Sequence, residues 1–298
     1  MTSDLPPPTL TRVLFGPPDW AASAVCAALA LGYAVCLMRL WRRGDRWPRL
    51  RTVAWYGGIV VLFLATGTGF SRYAMVLFSA HMGQHMILNM YAPVLMALGA
   101  PATLLLRALP AHRDRRGARA IILRVLHSRV VGLVSSLPMA LLFFVVSLFG
   151  LYFTPAFSVL MSTMLGHRLM EVHFLLTGYL FFWTIVGPDP GPRRPPVPVR
   201  IAVLAPVNAA HAFFAVIVLF SGVILGEPYL SEVHPLWISL HHDQDIGGAI
   251  AAGSAEVPIA GTAVPLFLRW MNGLQRRDAR RPGLPALPAD LRSGPDRP

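Results

Sequence analysis

Lysine is absent from this chain, and all 26 of its basic side chains are arginine. Acids are scarce, at 14 Asp and Glu, and charged residues of both signs make up only 13% of the sequence. Cysteine is nearly missing. Cys26 and Cys36 fall in one apolar run, where ten residues of helix would hold them roughly 15 Å apart, beyond disulfide reach. No Cys-x-x-Cys pair occurs, so both thiols read as small apolar packers. A basic leader is lacking too. Met1 to Pro8 is rich in proline, so the first apolar run is expected to act as its own insertion signal.

What is abundant is long apolar sequence. The mean hydropathy is +0.55, and several runs reach about 20 residues, enough to cross roughly 30 Å of hydrocarbon. In lipid, backbone groups must bond within their own segment, so the 298 residues predict one helical bundle rather than two soluble domains. The fold expected is all-α, a polytopic membrane bundle of seven transmembrane helices. They span residues 20–40, 52–70, 75–98, 131–152, 165–186, 201–225 and 246–270. Residues 1–19 form an extracytoplasmic segment, 20–271 the transmembrane domain, and 272–298 a disordered cytoplasmic tail rich in Pro and Arg. Gly99 to Pro110 is too short to cross and is expected at the cytoplasmic surface or re-entering. Glu227 to Asp245 reads as a long outer loop.

The net charge of +12 does not point to nucleic acid. Arginines gather in alternate loops: Arg39 to Arg51, Arg107 to Arg129, Arg193 to Arg200, and Arg276 to Arg281, with Arg72 the main exception. By the positive-inside rule this places the N-terminus outside and the C-terminus in the cytoplasm. Trp20, Trp41, Trp55, Trp183, Trp237 and Trp270 sit near span ends, as interface anchors do.

Ionisable side chains inside a membrane span are costly and mark function. His81 and His85 lie one turn apart in His81-Met82-Gly83-Gln84-His85-Met86, on one helix face with Asn89. Met82, Met86 and Met90 repeat that spacing alongside. Imidazole beside thioether is a ligand set that suits copper. The fifth span opens with His167, Arg168, Glu171 and His173. His167 and Glu171 share a face, whereas His173 points about 160° away from Glu171. Glu171 within a span needs a proton or a cation, and Arg168 is the nearest. Asn208 and His211 lie mid-way along the sixth span. His241, His242, Asp243, Gln244 and Asp245 precede the seventh as a loop cluster over the outer mouth. Glu256 lies deeper, just before Pro258, which is expected to kink its helix. His112 and His127 belong to an Arg-rich loop and are set aside. The metal-ligand candidates are therefore His81, His85, His167, Glu171, His173, His211, His241, His242, Asp243 and Asp245.

Residues 81–110 (HMGQHMILNMYAPVLMALGAPATLLLRALP) resemble the multi-pass CtaG-type cytochrome c oxidase assembly factors of bacteria. Residues 173–190, 211–225 and 243–258 extend the likeness over about two thirds of the chain. The resemblance implies a multi-pass plasma-membrane protein needed to form a heme–copper terminal oxidase, with oxidase subunits and the lipid bilayer as partners. It implies a copper-handling role, with His81 and His85 at the family's paired histidines and His211 and Asp243 at its later polar positions. It also implies His-x3-His in the fifth span, where this chain has His167 and Glu171. A carboxylate is a harder ligand than imidazole and weakens Cu(I) binding.

Three other classes are compatible with the residues. A seven-span zinc hydrolase would ligate zinc with His81, His85 and His211 and use Glu171 or Glu256 as base, though no HExxH occurs. A heme protein would take two histidines from facing helices. A scaffold would hold oxidase subunits with no ligand.

Overall fold

The protein is described by a computed structural model that covers residues 4–110, 117–191 and 194–278. Among these residues every regular element is helical. Short α1 (Leu10–Phe15) leads to α2 (Trp20–Arg42) and α3 (Arg49–Thr66). Short α4 (Phe70–Ala74) is followed by α5 (Phe78–Met86), a π-helical turn (Ile87–Tyr91), α6 (Ala92–Leu98) and α7 (Pro101–Ala108). Next come α8 (Ala118–Leu126), α9 (Arg129–Val134) and α10 (Leu137–Tyr152). Short α11 (Ala156–Met161) precedes α12 (Met164–Ile185), and α13 (Val197–Ala202) runs into α14 (Leu204–Phe220). Short α15 (Tyr229–Val233) precedes α16 (Leu240–Ser254) and α17 (Glu256–Asp278).

Four continuous stretches are long and apolar enough to cross a membrane: Trp20–Arg42, Phe78–Ala108, Val197–Phe220 and Leu240–Gln275. The helices run up and down. The starts of α2, α5, α12 and α16 meet the ends of α3, α10 and α14 at one end of the bundle, the upper end, tied by contacts such as Asp19 to Arg168 and Phe78 to Asp243. Large apolar side chains face outward on the flanks, among them Val25, Leu31 and Val35 of α2, Leu142 of α10, Leu176 of α12 and Phe213 of α14. Polar side chains are drawn inward instead, and His81, His85, Asn89, His167, His211 and Asp243 are all buried. This inversion is what hydrocarbon surroundings demand. Phe78, Phe144, Tyr152, Phe157, Phe174 and Phe214 wall the interior around those polar groups.

Several boundaries differ from those expected. The fourth stretch breaks at Ser135 and Ser136 rather than running from Val131, because Pro138 fits only the first turn of α10. The sixth ends at Phe220, and the Leu225 N–H beyond it is taken by Gln244 Oε1 at 2.8 Å. The seventh begins at Leu240, where the Ser239 side chain caps the His242 N–H. His241 to Asp245 is therefore helix, not loop. Residues 272–278 of the expected tail continue α17, and the rest of it, 279–298, lies outside the described residues, as does His112. Gly99 to Pro110 contains α7, which packs on α2 and buries Leu104, Leu106 and Ala108. The kink expected at Pro258 appears as a break at Ala255. Proline has no N–H to offer the carbonyl four residues back, and the Ser254 carbonyl accepts from the Tyr91 hydroxyl at 2.7 Å instead.

Candidate metal-binding site

The helix that carries His81 and His85 cannot cap itself. Leu77 stands at its N-cap and supplies no side-chain oxygen. Asp243 of α16 fills the role from across the bundle, accepting from Phe78 N–H at 2.6 Å and Ser79 N–H at 3.2 Å, and from the Ser79 hydroxyl. His234 Nε2 approaches the same carboxylate at 3.3 Å. A carboxylate on bare N–H groups at a helix start is doubly favoured, by hydrogen bonding and by the helix dipole. At the lower end α7 is held the same way. Ala100 sits in the left-handed region at φ 52° and cannot cap, and Asp189 accepts from Ala102 N–H at 3.2 Å and Thr103 N–H at 2.6 Å. The histidine helix and its extension are thus pinned at both ends by acids borrowed from elsewhere in the chain.

Between the pins lie two groups of polar side chains. The upper one centres on Gln84. Its Nε2 donates to the Ala65 carbonyl at 2.9 Å and to Glu171 Oε1 at 2.8 Å. With both amide hydrogens used, its oxygen must accept, and it faces His167 Nε2 at 3.1 Å. The proton of His167 therefore sits on Nε2, which leaves Nδ1 bare. That nitrogen has no hydrogen-bond partner and lies 3.8 Å from Glu171 Oε1. The other Glu171 oxygen accepts from Arg168 at 2.9 Å, and Arg168 also clasps Asp19, the N-cap of α2. The His81 ring is 5.9 Å from that of His167, centre to centre. Neither nitrogen of His81 makes a hydrogen bond of normal geometry, although the Ala74 backbone lies beside the ring.

The lower group centres on Tyr152. Its hydroxyl meets His85 Nδ1 at 2.9 Å, and Asn89 Nδ2 lies 3.4 Å from His85 Nε2. An amide nitrogen only donates, so Nε2 is the unprotonated nitrogen and Nδ1–H donates to the tyrosine oxygen. The His85 ring stacks on Phe174 at 4.1 Å and on Tyr152 at 5.4 Å. His211 of α14 lies 6.4 Å from His85, ring centre to ring centre, and both of its nitrogens lack partners. The π-helical turn holds Asn89, and Gly178 of α12 lets the two helices touch there. A methyl group at Gly178 would fall 2.1 Å from the Asn89 carbonyl oxygen.

A family model described as cytochrome c oxidase caa3 assembly factor (Caa3_CtaG) matches residues 31–273. The chain belongs to this family. The matched region holds every candidate ligand but not Asp19, the partner of Arg168. Uncharacterized proteins of Mycobacterium bovis and Mycobacterium tuberculosis are each 42% identical over 282 residues, covering 92% of this chain and 42% of their own length. An uncharacterized protein of Mycobacterium leprae is 41% identical over 255 residues, 85% of this chain and 39% of its own. The chain thus spans about two fifths of the length of the curated relatives it matches. No solved structure matches it.

The remaining candidates of this caa3-type family member lie elsewhere. His173 turns outward on α12 and pairs with Ser147 of α10 at 2.8 Å. His241, His242 and Asp245 are exposed on the first turns of α16, and Asp243 beside them is occupied as a cap. Glu256 is exposed on the bundle surface. Met82, Met86 and Met90 are buried among apolar side chains. Among the described residues no three His, Cys, Asp or Glu side chains converge on one point. The four inward imidazoles stand in pairs. Sequence reasoning missed Gln84, Tyr152, His234 and Asp19. Gln84 alone gave a signal, since it lies between the two histidines of the motif.

Proposed function

We propose that this chain is a seven-span protein of the bacterial plasma membrane, N-terminus outside and C-terminus cytoplasmic, that assists cytochrome c oxidase assembly by handling copper at its buried imidazoles. The observation that carries the copper reading is the set of bare nitrogens on His81, His167 and His211 inside a closed, aromatic-walled interior. A buried polar atom without a partner costs free energy and is rare unless something fills the place. Neutral imidazole nitrogen is a good ligand for copper. The chain's own residues hold these rings ready: Gln84 fixes the proton of His167, Tyr152 that of His85, and Asp243 the start of their helix. Copper is cargo in this reading, passed on to an oxidase subunit. Seven helical stretches with Arg-rich lower loops support the topology.

Metal analysis of detergent-purified protein tests the reading. Wild type should retain added copper, and the variant with His81→Ala and His85→Ala should retain none. Equal copper in the two would remove the site. No observation favours zinc hydrolysis, since Glu256 is exposed on the bundle surface, Glu171 is tied to Arg168 and Gln84, and among the described residues the histidines pair rather than triangulate. Heme is disfavoured by packing, because Phe174 and Tyr152 lie against the His85 ring.

A further inference from the structure

The four inward imidazoles do not form one cage, and their spacing says what they form instead. An ion about 2.0 Å from each of two facing nitrogens sets the ring centres roughly 5–6.5 Å apart. Two pairs meet that condition: His81 with His167 at 5.9 Å, and His85 with His211 at 6.4 Å. Tyr152 lies between the pairs, 5.8 Å from the His81 ring and 5.4 Å from that of His85. All four histidines are at most 2% exposed.

We propose that the interior holds two successive two-coordinate stations for a soft monovalent cation, His81 with His167 above and His85 with His211 below, between which the ion passes beside Tyr152. The inference rests on the copper-handling function proposed above and assigns its oxidation state, stoichiometry and route. Zinc asks for four ligands, or three and a water, and neither pair supplies them. A filled-shell monovalent ion such as Cu(I) or Ag(I) is content with two. The nitrogens are already suited. His167 Nδ1 is bare because Gln84 holds its proton on Nε2. His85 Nε2 is unprotonated because Tyr152 takes the Nδ1 proton, its one partner being the long 3.4 Å contact from Asn89 Nδ2, which an ion would displace. Passage therefore exchanges one neutral nitrogen pair for another around the same ion. No electron moves and no proton is released.

The two stations differ in charge. Glu171 Oε1 stands 3.8 Å from the ligating nitrogen of His167, and Arg168, the cation bonded to Glu171, is shared with a second acid, Asp19. An entering cation is drawn to that end. The lower station is flanked by Tyr152, Asn89, Phe144 and Phe174, all neutral. The upper station should therefore bind more tightly and the lower one release more readily.

Anaerobic titration of the purified full chain with Cu(I), and separately with Ag(I), tests this. Two equivalents are expected, with affinities at least about tenfold apart. His167→Ala should lose the tighter one and His211→Ala the weaker one. X-ray absorption of wild type at one and at two equivalents should find two nitrogen neighbours per ion, a readout that needs no variant to fold. A single equivalent, a sulfur neighbour, or preferential four-coordinate zinc would overturn the two-station arrangement while leaving a copper function standing. Absence of any binding would overturn both.

Discussion

Asp243 and Glu171 are both buried carboxylates near the upper end, yet the surroundings give them opposite tasks. Asp243 is saturated. Two backbone N–H groups, a hydroxyl and an imidazole converge on it. Glu171 accepts from Gln84 on one oxygen and from Arg168 on the other, with Ser71 also bonded to it, yet its Oε1 still faces the bare Nδ1 of His167 at 3.8 Å. One acid builds the platform and the other electrifies the opening. A carboxylate in a span is thus a functional candidate only after its donors have been counted.

Substitutions can break this contrast or sharpen it. The largest effect on folding is expected for Asp243→Ala, which strands two backbone donors at the head of α5. A loss of about 3 kcal/mol is expected, read as a fall in the thermal midpoint in detergent, and Asp243→Asn should recover part of it. If Asp243→Asn instead keeps full stability and loses metal, the assignment of Asp243 to the platform fails. Gly178→Ala comes next. Its methyl group would collide with the Asn89 backbone and should cost about 2 kcal/mol by forcing α12 off the π-helical turn. Near-neutrality there would mean that the contact yields freely.

Glu171→Gln should reverse the pattern of Asp243, with stability changed by less than about 1 kcal/mol and affinity for Cu(I) lowered about tenfold, as for other groups that act beside a ligand. An unchanged affinity would strip Glu171 of its electrostatic role. Asp19→Asn is the mildest for stability, because it keeps a capping oxygen on α2 and loses only the charge paired with Arg168. That pair is part-exposed and worth under about 1 kcal/mol. Hydrogen exchange should nevertheless rise at the start of α2, which that clasp ties to α12. Protection equal to wild type would show the clasp to be incidental.

The sequence made some of this legible and hid the rest for identifiable reasons. The helical stretches followed from length and apolarity, and the His81, His85 and Asn89 face from a period of four. Their burial confirms the face. The pairing of His81 with His167 and of His85 with His211 joins helices far apart in the chain, which no local pattern encodes. Asp243 was placed among the ligands because a lone acid near a span looks like one. Its capping duty depends on Leu77, a residue 166 positions away that lacks an oxygen. His241, His242 and Asp245 carried ligand chemistry in their names but stand on the exposed face of a helix that starts earlier than hydropathy suggests. His234 was passed over in the outer loop, yet it supports the cap.

The wide turn at Ile87–Tyr91 has a consequence for how this helix could change over generations. It absorbs one residue more than a regular turn, and so sets the rotational phase between the half bearing His81 and the half ending at Gly99. Deleting a single residue there would twist one half against the other by about 100° and swing the imidazoles toward lipid, with every side chain otherwise intact. A length change of one in this stretch should therefore be more damaging than most exchanges of one residue for another.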